Sequence, residues 1–564
     1  MSLGGTHFEV FSRRGSGGPW AFFGAYPGRD DAVNAAKDVL ASGQARAVRV
    51  YRETFNDDTG EFLSQKVFEE GNAGGKVAKE SVHLPCAKPD DLYTANGKRT
   101  IARLLRDALA GWRITATELL HHPGHVQRLE LAGTVLQQAI QKWAVKHAGN
   151  TGQPVQQIII KLNELVTEAT RRVVIDGQEH KFPSIEKEGF TPLLARLVNS
   201  ATPDYLVNGA LARHIAHARS WSEKLDSLLA LMGELPTDDA SRALGAKAVD
   251  GIAAEMLSGS AALIDLLGEQ PDLGSALFHL TNLFLGRAAE IHDLSASLEI
   301  LARAFAEGQL PQARAAIGER IMREIRGARR FKSNLLDDEI LVMRKLAAAL
   351  VTVQGVLLSP EEIEDAFAAR SSHFVLPETV ERYLTGLERP SERIDKLLGL
   401  ACNVVGNANK RELVFFINGI LGSPRTEAFY VDGREPIQTR LAELRSLQAR
   451  VQNAAFHETH RVRMAEALDA IAVEIERKAG FLNGLTKSYP APAVLAEQLL
   501  LLLAAQSVTH GTLAETVRAR LRECMGNAGF ASSLAAFDET RAERFFRLLA
   551  ATGMEGSLKR KVAG

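Results

Sequence analysis

The chain reads as α+β: a small N-terminal β-β-α-β-β module followed by a long all-α body of stacked helical hairpins or tandem helical bundles. Three observations predict this. Aromatic and β-branched residues in alternating runs are confined to residues 1–70. Beyond about residue 90, leucine and alanine dominate, and apolar residues recur every three or four positions. Prolines then punctuate the periodic runs, among them Pro192, Pro203, Pro236, Pro271, Pro311 and Pro360.

The module can be justified element by element. "HFEVFSRR" (His7 to Arg14) has strand composition, "GSGGP" supplies a turn, and "WAFFGAYP" (Trp20 to Pro27) is a second strand. "RDDAVNAAKDVLASG" is a helix. Asp30 or Asp31 can cap it, Val33, Ala36, Val39 and Leu40 share a face, and Gly43 ends it. "ARAVRVYRETF" alternates from Val48 onward, "DDTGE" turns it, and "FLSQKVFEE" returns. The order suits one small sheet with a helix on one face. So small a module buries a modest core and is expected to lean on its neighbour.

Residues 71–91, rich in glycine, lysine and proline, read as a linker. Residues 92–564 read as the helical body, with on the order of 20 to 25 helices at ordinary lengths. Two internal matches suggest related halves, about 92–310 and 311–564. "SEKLDSLLAL" (Ser222 to Leu231) matches "SERIDKLLGL" (Ser391 to Leu400), and "LFHLTNLFLG" (Leu277 to Gly286) parallels "LVFFINGILG" (Leu413 to Gly422), with Asn282 and Asn418 in register. The two offsets differ, so a duplication requires about one helical hairpin inserted in the first copy.

Composition excludes several classes. The 564 residues are 46% hydrophobic and 24% charged, as in folded globular chains. A net charge of −1 gives no global field toward DNA or an anionic membrane. Cys86, Cys402 and Cys524 are odd in number and form no CxxC pair, which argues against a disulfide framework or structural zinc and for reduced thiols in the cytoplasm. "MSLGGTHFEV" lacks the pattern of a signal peptide, and the densest apolar run, Leu499 to Ala505, is too short to span a bilayer. The expectation is a cytoplasmic protein with no membrane span; nothing specifies an oligomeric state.

Motifs for catalysis are missing. "GNAGGKV" (Gly71 to Val77) falls one residue short of a Walker loop, and Val77 stands where a magnesium-binding hydroxyl belongs. No GxGxxG follows a strand and no GxSxG occurs. Histidines at i and i+3 share a helix face and can grip a metal. The weak candidates are His214 with His217 and His457 with His460. "HHPGH" (His121, His122, His125) reads instead as surface or partly buried histidines at a helix stop, and Glu118 with His121 is a lone Glu-x-x-His unit. No metal and no cofactor are expected.

The most pointed chemical feature is "REIRGARRFKS", residues 323–333, which places Arg323, Arg326, Arg329, Arg330 and Lys332 within eleven positions. On a helix through 314–335, Ile317, Ile321, Ile325, Ala328 and Leu335 form a buried arc, with Arg323, Arg326 and Arg330 opposite. Glu319 and Glu324 lie four residues from Arg323 and Arg320, and Asp337 to Glu339 follow closely. From Arg314 to Lys332 the net charge is +5. The leading expectation is a non-catalytic cytoplasmic interaction protein, of scaffold or regulatory kind, that binds protein partners on helical surfaces. The alternatives are a helical metal-binding protein or enzyme with a site assembled from dispersed residues, and a binder of nucleic acid or an anionic ligand through the basic helix 314–332.

Overall fold

The computed structural model describes residues 7–13, 21–42, 45, 47–56, 61–71, 88–151, 153–287, 296–332, 335–351 and 358–554. The expected turns at 15–19 and 57–60, Gly43, Cys86 and residues 72–87 of the expected linker lie outside the described residues.

The fold class expected from the sequence is the one observed. The module consists of β1 (His7–Arg13), β2 (Ala21–Tyr26), α1 (Arg29–Ala41), β3 (Ala47–Asn56) and β4 (Glu61–Gly71). The strands form one antiparallel sheet in the order β2-β1-β3-β4. Period-two alternation decides its faces. Val10 pairs with Val50, and with Val48 they bury against Ala32, Ala36 and Val39 of α1. Val33 and Leu40 pack at the margin of this core. Alternating with the valines, Phe11 meets Tyr51 edge to face at 5.7 Å, and Arg49 pairs with Glu69 at 2.8 Å. Gly28, not an aspartate, occupies the N-cap of α1. Asp30 and Asp31 sit in its first turn, where the helix dipole favours them.

Among the described residues, 28 further helices, α2 to α29, follow a 3-10 turn at Pro89–Tyr93. The number exceeds the sequence expectation because runs that read as one helix are broken in two or shortened to a single turn. Prolines mark starts more than stops: Pro123, Pro203, Pro311, Pro377, Pro390 and Pro424 each open a helix. The N1 position suits proline because its missing N–H would have no intrahelical partner there.

The chain forms two compact units, residues 1–334 with 341–366 and residues 335–340 with 367–564. The internally similar segments all fall on helices: α11 (Trp221–Met232) and α14 (Leu273–Phe284) in the first unit, α20 (Pro390–Ala401) and α21 (Asn407–Leu421) in the second. Between α11 and α14 stand α12 (Asp239–Ser258) and α13 (Ser260–Leu267), whereas α21 follows α20 directly. Asn282 is buried and Asn418 is exposed, so the residues in register do different work. Among the described residues, no helix is long and apolar enough to cross a membrane.

Several helix N-termini are sealed by carboxylates from distant parts of the chain. Asp250 on α12 accepts the N–H groups of Gln312 and Ala313, at 2.9 and 2.8 Å, at the start of α16 (Pro311–Arg326). Asp265 on α13 accepts the Trp221 N–H at 2.8 Å where α11 begins. Glu255 on α12 accepts the Thr117 N–H at 2.9 Å in the first turn of α4 (Ala116–His121). In the second unit, Asp469 on α24 (Glu458–Ala479) does the same for Thr512 at the head of α27 (Thr512–Gly526). Each carboxylate satisfies donors that a helix cannot satisfy itself.

Candidate partner-docking site

The basic stretch begins on α16. Ile317, Ile321 and Ile325 are fully buried, as their spacing requires. The helix ends at Arg326, and Gly327 leaves it in an extended conformation at φ −69°, ψ 159°. The expected helix through residue 335 is therefore corrected. Ala328 is exposed, Leu335 is 66% exposed, and Phe331 is fully buried in their place. Phe331 lies about 240° round from Ile325 on a straight helix, so it reaches the core only because the helix stops.

Residues 327–332 form a turn fixed at its far end. The buried ring of Phe331 anchors it, and the Phe331 carbonyl accepts the Gly274 N–H at 2.7 Å. Gly274 has to be small: a Cβ there would stand 2.9 Å from Val342 Cγ1 and 3.3 Å from the Phe331 oxygen. Arg323, Arg326, Arg329, Arg330 and Lys332 are all exposed. Arg326 also donates to the Glu362 carbonyl at 3.4 Å.

Two upstream arginines have structural duties. Arg314 donates to the carbonyls of Phe284 and Phe305, at 2.8 and 3.2 Å, near the ends of α14 and α15 (Ala296–Ala306). Arg320 donates to the Ser260 hydroxyl at 3.1 Å and pairs with Glu324 at 3.6 Å, as its spacing suggests. Glu319 lies 3.8 Å from Arg99 on α2 (Ala95–Leu104). Asp337, expected to offset the arginines, is engaged within the second unit by Lys396 at 3.2 Å and the Tyr383 hydroxyl at 3.1 Å.

The four weak metal candidates have other occupations or lie apart. His214 and His217 belong to the first unit, and His457 and His460 to the second. His214 Nδ1 meets Glu186 at 2.7 Å. His217 is exposed. His457 caps α24, its Nδ1 facing the Thr459 N–H at 3.4 Å. His460 is half-buried. Among the described residues, no three His, Cys, Asp or Glu side chains are grouped so as to hold a metal ion.

A buried polar centre that the sequence reading missed surrounds α4. Thr115 and Glu118 form a capping box: the Thr115 hydroxyl accepts the Glu118 N–H at 3.1 Å, and Glu118 Oε2 accepts the Thr115 N–H at 2.8 Å. The other Glu118 oxygen accepts Lys224 Nζ from α11, with both side chains sealed from water. Burial pushes the Glu118 carboxyl up and the Lys224 ammonium down, and the contact between the two opposes both shifts. On the same turn, Thr117 is gripped by Glu255, which lies 3.8 Å from Lys98.

His121 completes this centre: of the three histidines of "HHPGH", expected at the surface or partly buried, His122 and His125 are partly buried but His121 is not. It is fully buried where α4 ends and Pro123 immediately opens α5 (Pro123–Leu131). Its ring packs against Tyr93 at 5.3 Å and Tyr205 at 5.0 Å. Nδ1 lies 2.7 Å from the Thr117 carbonyl, so Nδ1 carries the hydrogen and Nε2 is the bare base. Burial, and then the charge of Lys98, push its pKa down to about 3. Tyr205 donates to Asp176 at 2.8 Å, with the Arg172 guanidinium stacked on its ring at 4.2 Å. "TATE", a capping-box pattern, was the one local signal for this centre.

A two-unit helical chain with a sheet-and-helix module at its head is the class these features define. The chain matches no family model, no curated protein and no solved structure.

Proposed function

We propose that this chain is a non-catalytic interaction protein of the cytoplasm that docks an acidic protein surface on the basic turn following α16. The observation that carries the reading is the anchoring of that turn: Phe331 is buried beneath it, while five cationic side chains stand at the surface. A turn already held in one conformation loses little entropy on binding. Arginines suit carboxylates because their guanidinium forks bind bidentately. A nucleic acid would also be drawn to the charge. Two facts weigh against it: the stretch's one aromatic residue is buried beneath the turn and so withdrawn from base stacking, and the chain as a whole carries net charge −1.

The test is a charge reversal, Arg326→Glu with Arg330→Glu, compared with wild type in pull-downs from the native cytoplasm at two salt concentrations. The expected outcome is an unchanged melting curve and selective loss of captured partners, with the difference shrinking as salt rises. An identical set of partners would refute the reading. A shift of labelled single-stranded DNA abolished by the same reversal would favour the nucleic-acid alternative.

A further inference from the structure

The second compact unit buries a charge beneath a neutral side chain. Arg445 lies on α23 (Ile437–Gln452) with 6% of its surface exposed. Its Nη2 donates to the Gln506 side-chain oxygen at 3.1 Å. Nε and Nη1 are buried, and among the described residues they meet no acceptor. Burial holds the guanidinium below its ordinary pKa, and no neighbouring carboxylate opposes this. A buried ion ordinarily has an opposite charge or a set of hydrogen bonds around it. Other buried ions of the unit do. Glu497 has Arg541 and Arg544, at 2.7 and 3.0 Å, and Arg440 holds the Tyr430 and Val431 carbonyls. Asp469 on α24 is committed to the Thr509 hydroxyl and the Thr512 N–H.

The neutral partner of Arg445 sits in a costly conformation. α26 (Pro492–Ala504) ends in a Schellman turn: the Gln506 N–H reaches the Leu503 carbonyl at 3.2 Å, and the Ser507 N–H reaches the Leu502 carbonyl at 3.0 Å. Such a turn needs positive φ at the position of Gln506, where glycine is usual; Gln506 has φ 49°. A glycine would relax the backbone and take away the acceptor of Arg445. Gln448, one turn beyond Arg445, fixes this segment over α23. Its fully buried amide accepts the His510 N–H at 2.7 Å and donates to the carbonyls of His510 and Ala465, at 2.7 and 3.0 Å. Gln506 itself is exposed, so its side chain is free to swing into water. Its departure uncovers Nη2, the nitrogen shared by both two-nitrogen edges of a guanidinium.

We propose that Arg445 is the seat of a site for a small free oxyanion, phosphate or a carboxylate, which displaces the Gln506 amide. Two of its oxygens take Nη2 and one flanking N–H, the bidentate geometry that suits a guanidinium. The anion supplies the charge that Gln506 lacks. The way in is one side chain wide, which admits a small ion and turns away a polymer. The site is separate in sequence from the 327–332 turn and acts without it.

The experiment is thermal melting of the full chain in phosphate, acetate or chloride at one pH and ionic strength. Chloride presents a single atom and sets the baseline. Phosphate or acetate should raise the melting temperature by about 2–4 °C, climbing with the logarithm of concentration. Phosphate also stabilises proteins by exclusion from their surfaces, so the comparison with variants isolates the site. Arg445→Met should lose the concentration-dependent gain. Gln506→Glu supplies a carboxylate from within the chain: it should raise the melting temperature in chloride and abolish the response to added oxyanion. The Arg326→Glu, Arg330→Glu pair should respond as wild type does. The larger of the phosphate and acetate shifts identifies the class of ligand. The proposal is overturned if neither anion exceeds chloride, if Arg445→Met responds as wild type does, or if Gln506→Glu changes neither the melting temperature nor the response. Should Arg445→Met fail to fold, Gln506→Ala joins Gln506→Glu in its place; by removing the competing amide it should enlarge the response, and a smaller one would equally overturn the proposal.

Discussion

Glu118 and Lys224 depend on each other. Removing either partner of a buried ion pair strands a charge out of water, at a cost of about 3–5 kcal/mol. Lys224→Met should therefore destabilise the first unit by about that much, whereas Glu118→Gln combined with Lys224→Met should recover a large part of the loss. Chemical denaturation of the two variants checks this, and equal damage from both would show that packing, not charge, governs the site. Residues of the basic stretch are expected to divide sharply. Ile325→Ala should cost about 2–5 kcal/mol as a core truncation, and Arg330→Ala no more than about 0.5 kcal/mol as a surface change. The apolar half of this division was legible from spacing alone: the isoleucines at 317, 321 and 325 recur at every fourth position and all are buried.

Elements whose signal is local were the most legible. The four strands announce themselves because Val48, Val50 and their neighbours alternate within a few residues, and the sheet keeps that alternation. The end of α16 was misread because a single glycine is tolerated in a helical pattern, and Ala328 and Leu335 extended the apolar arc by chance. Phe331 was the discordant residue: a large aromatic on the wrong side of the helix called for a break, which Gly327 provides. Phe331→Ala should cost about 3–5 kcal/mol and speed amide exchange at Gly274, whose N–H the Phe331 carbonyl accepts. Unchanged exchange there would mean the turn is held by other contacts. His121 of "HHPGH" was misread for a related reason. Proline ends one helix and begins another with equal ease, and only tertiary packing decides that His121 faces inward.

At the scale of the whole molecule, pH provides the test. His121 and His125 are both pushed down to about 3 from 6.5, by burial above all, and His122 is lowered too. The unfolded chain takes up protons near pH 6.5 while the folded chain does not, so this contribution is fully present above that pH and is lost as pH falls toward 3. For His121 alone the loss between pH 6.5 and 5 is about 1.5 to 2 kcal/mol. His121→Phe should flatten the pH dependence of amide exchange in α4 over that window, and an unchanged slope would show the imidazole to be uninvolved. The centre around His121 was hidden from sequence because its partners are remote: Lys224 lies 106 residues from Glu118, and Glu255 lies 138 residues from Thr117. That remoteness also bears on synthesis. At about 5–20 residues per second, a ribosome takes roughly seven to thirty seconds to make the chain between Thr117 and Glu255. During that interval α4 has emerged without the carboxylate that closes its first turn and without the ammonium that neutralises Glu118. The N-terminal part of the first unit therefore waits on the ribosome: it can collapse early, but it locks only after α12 has been made.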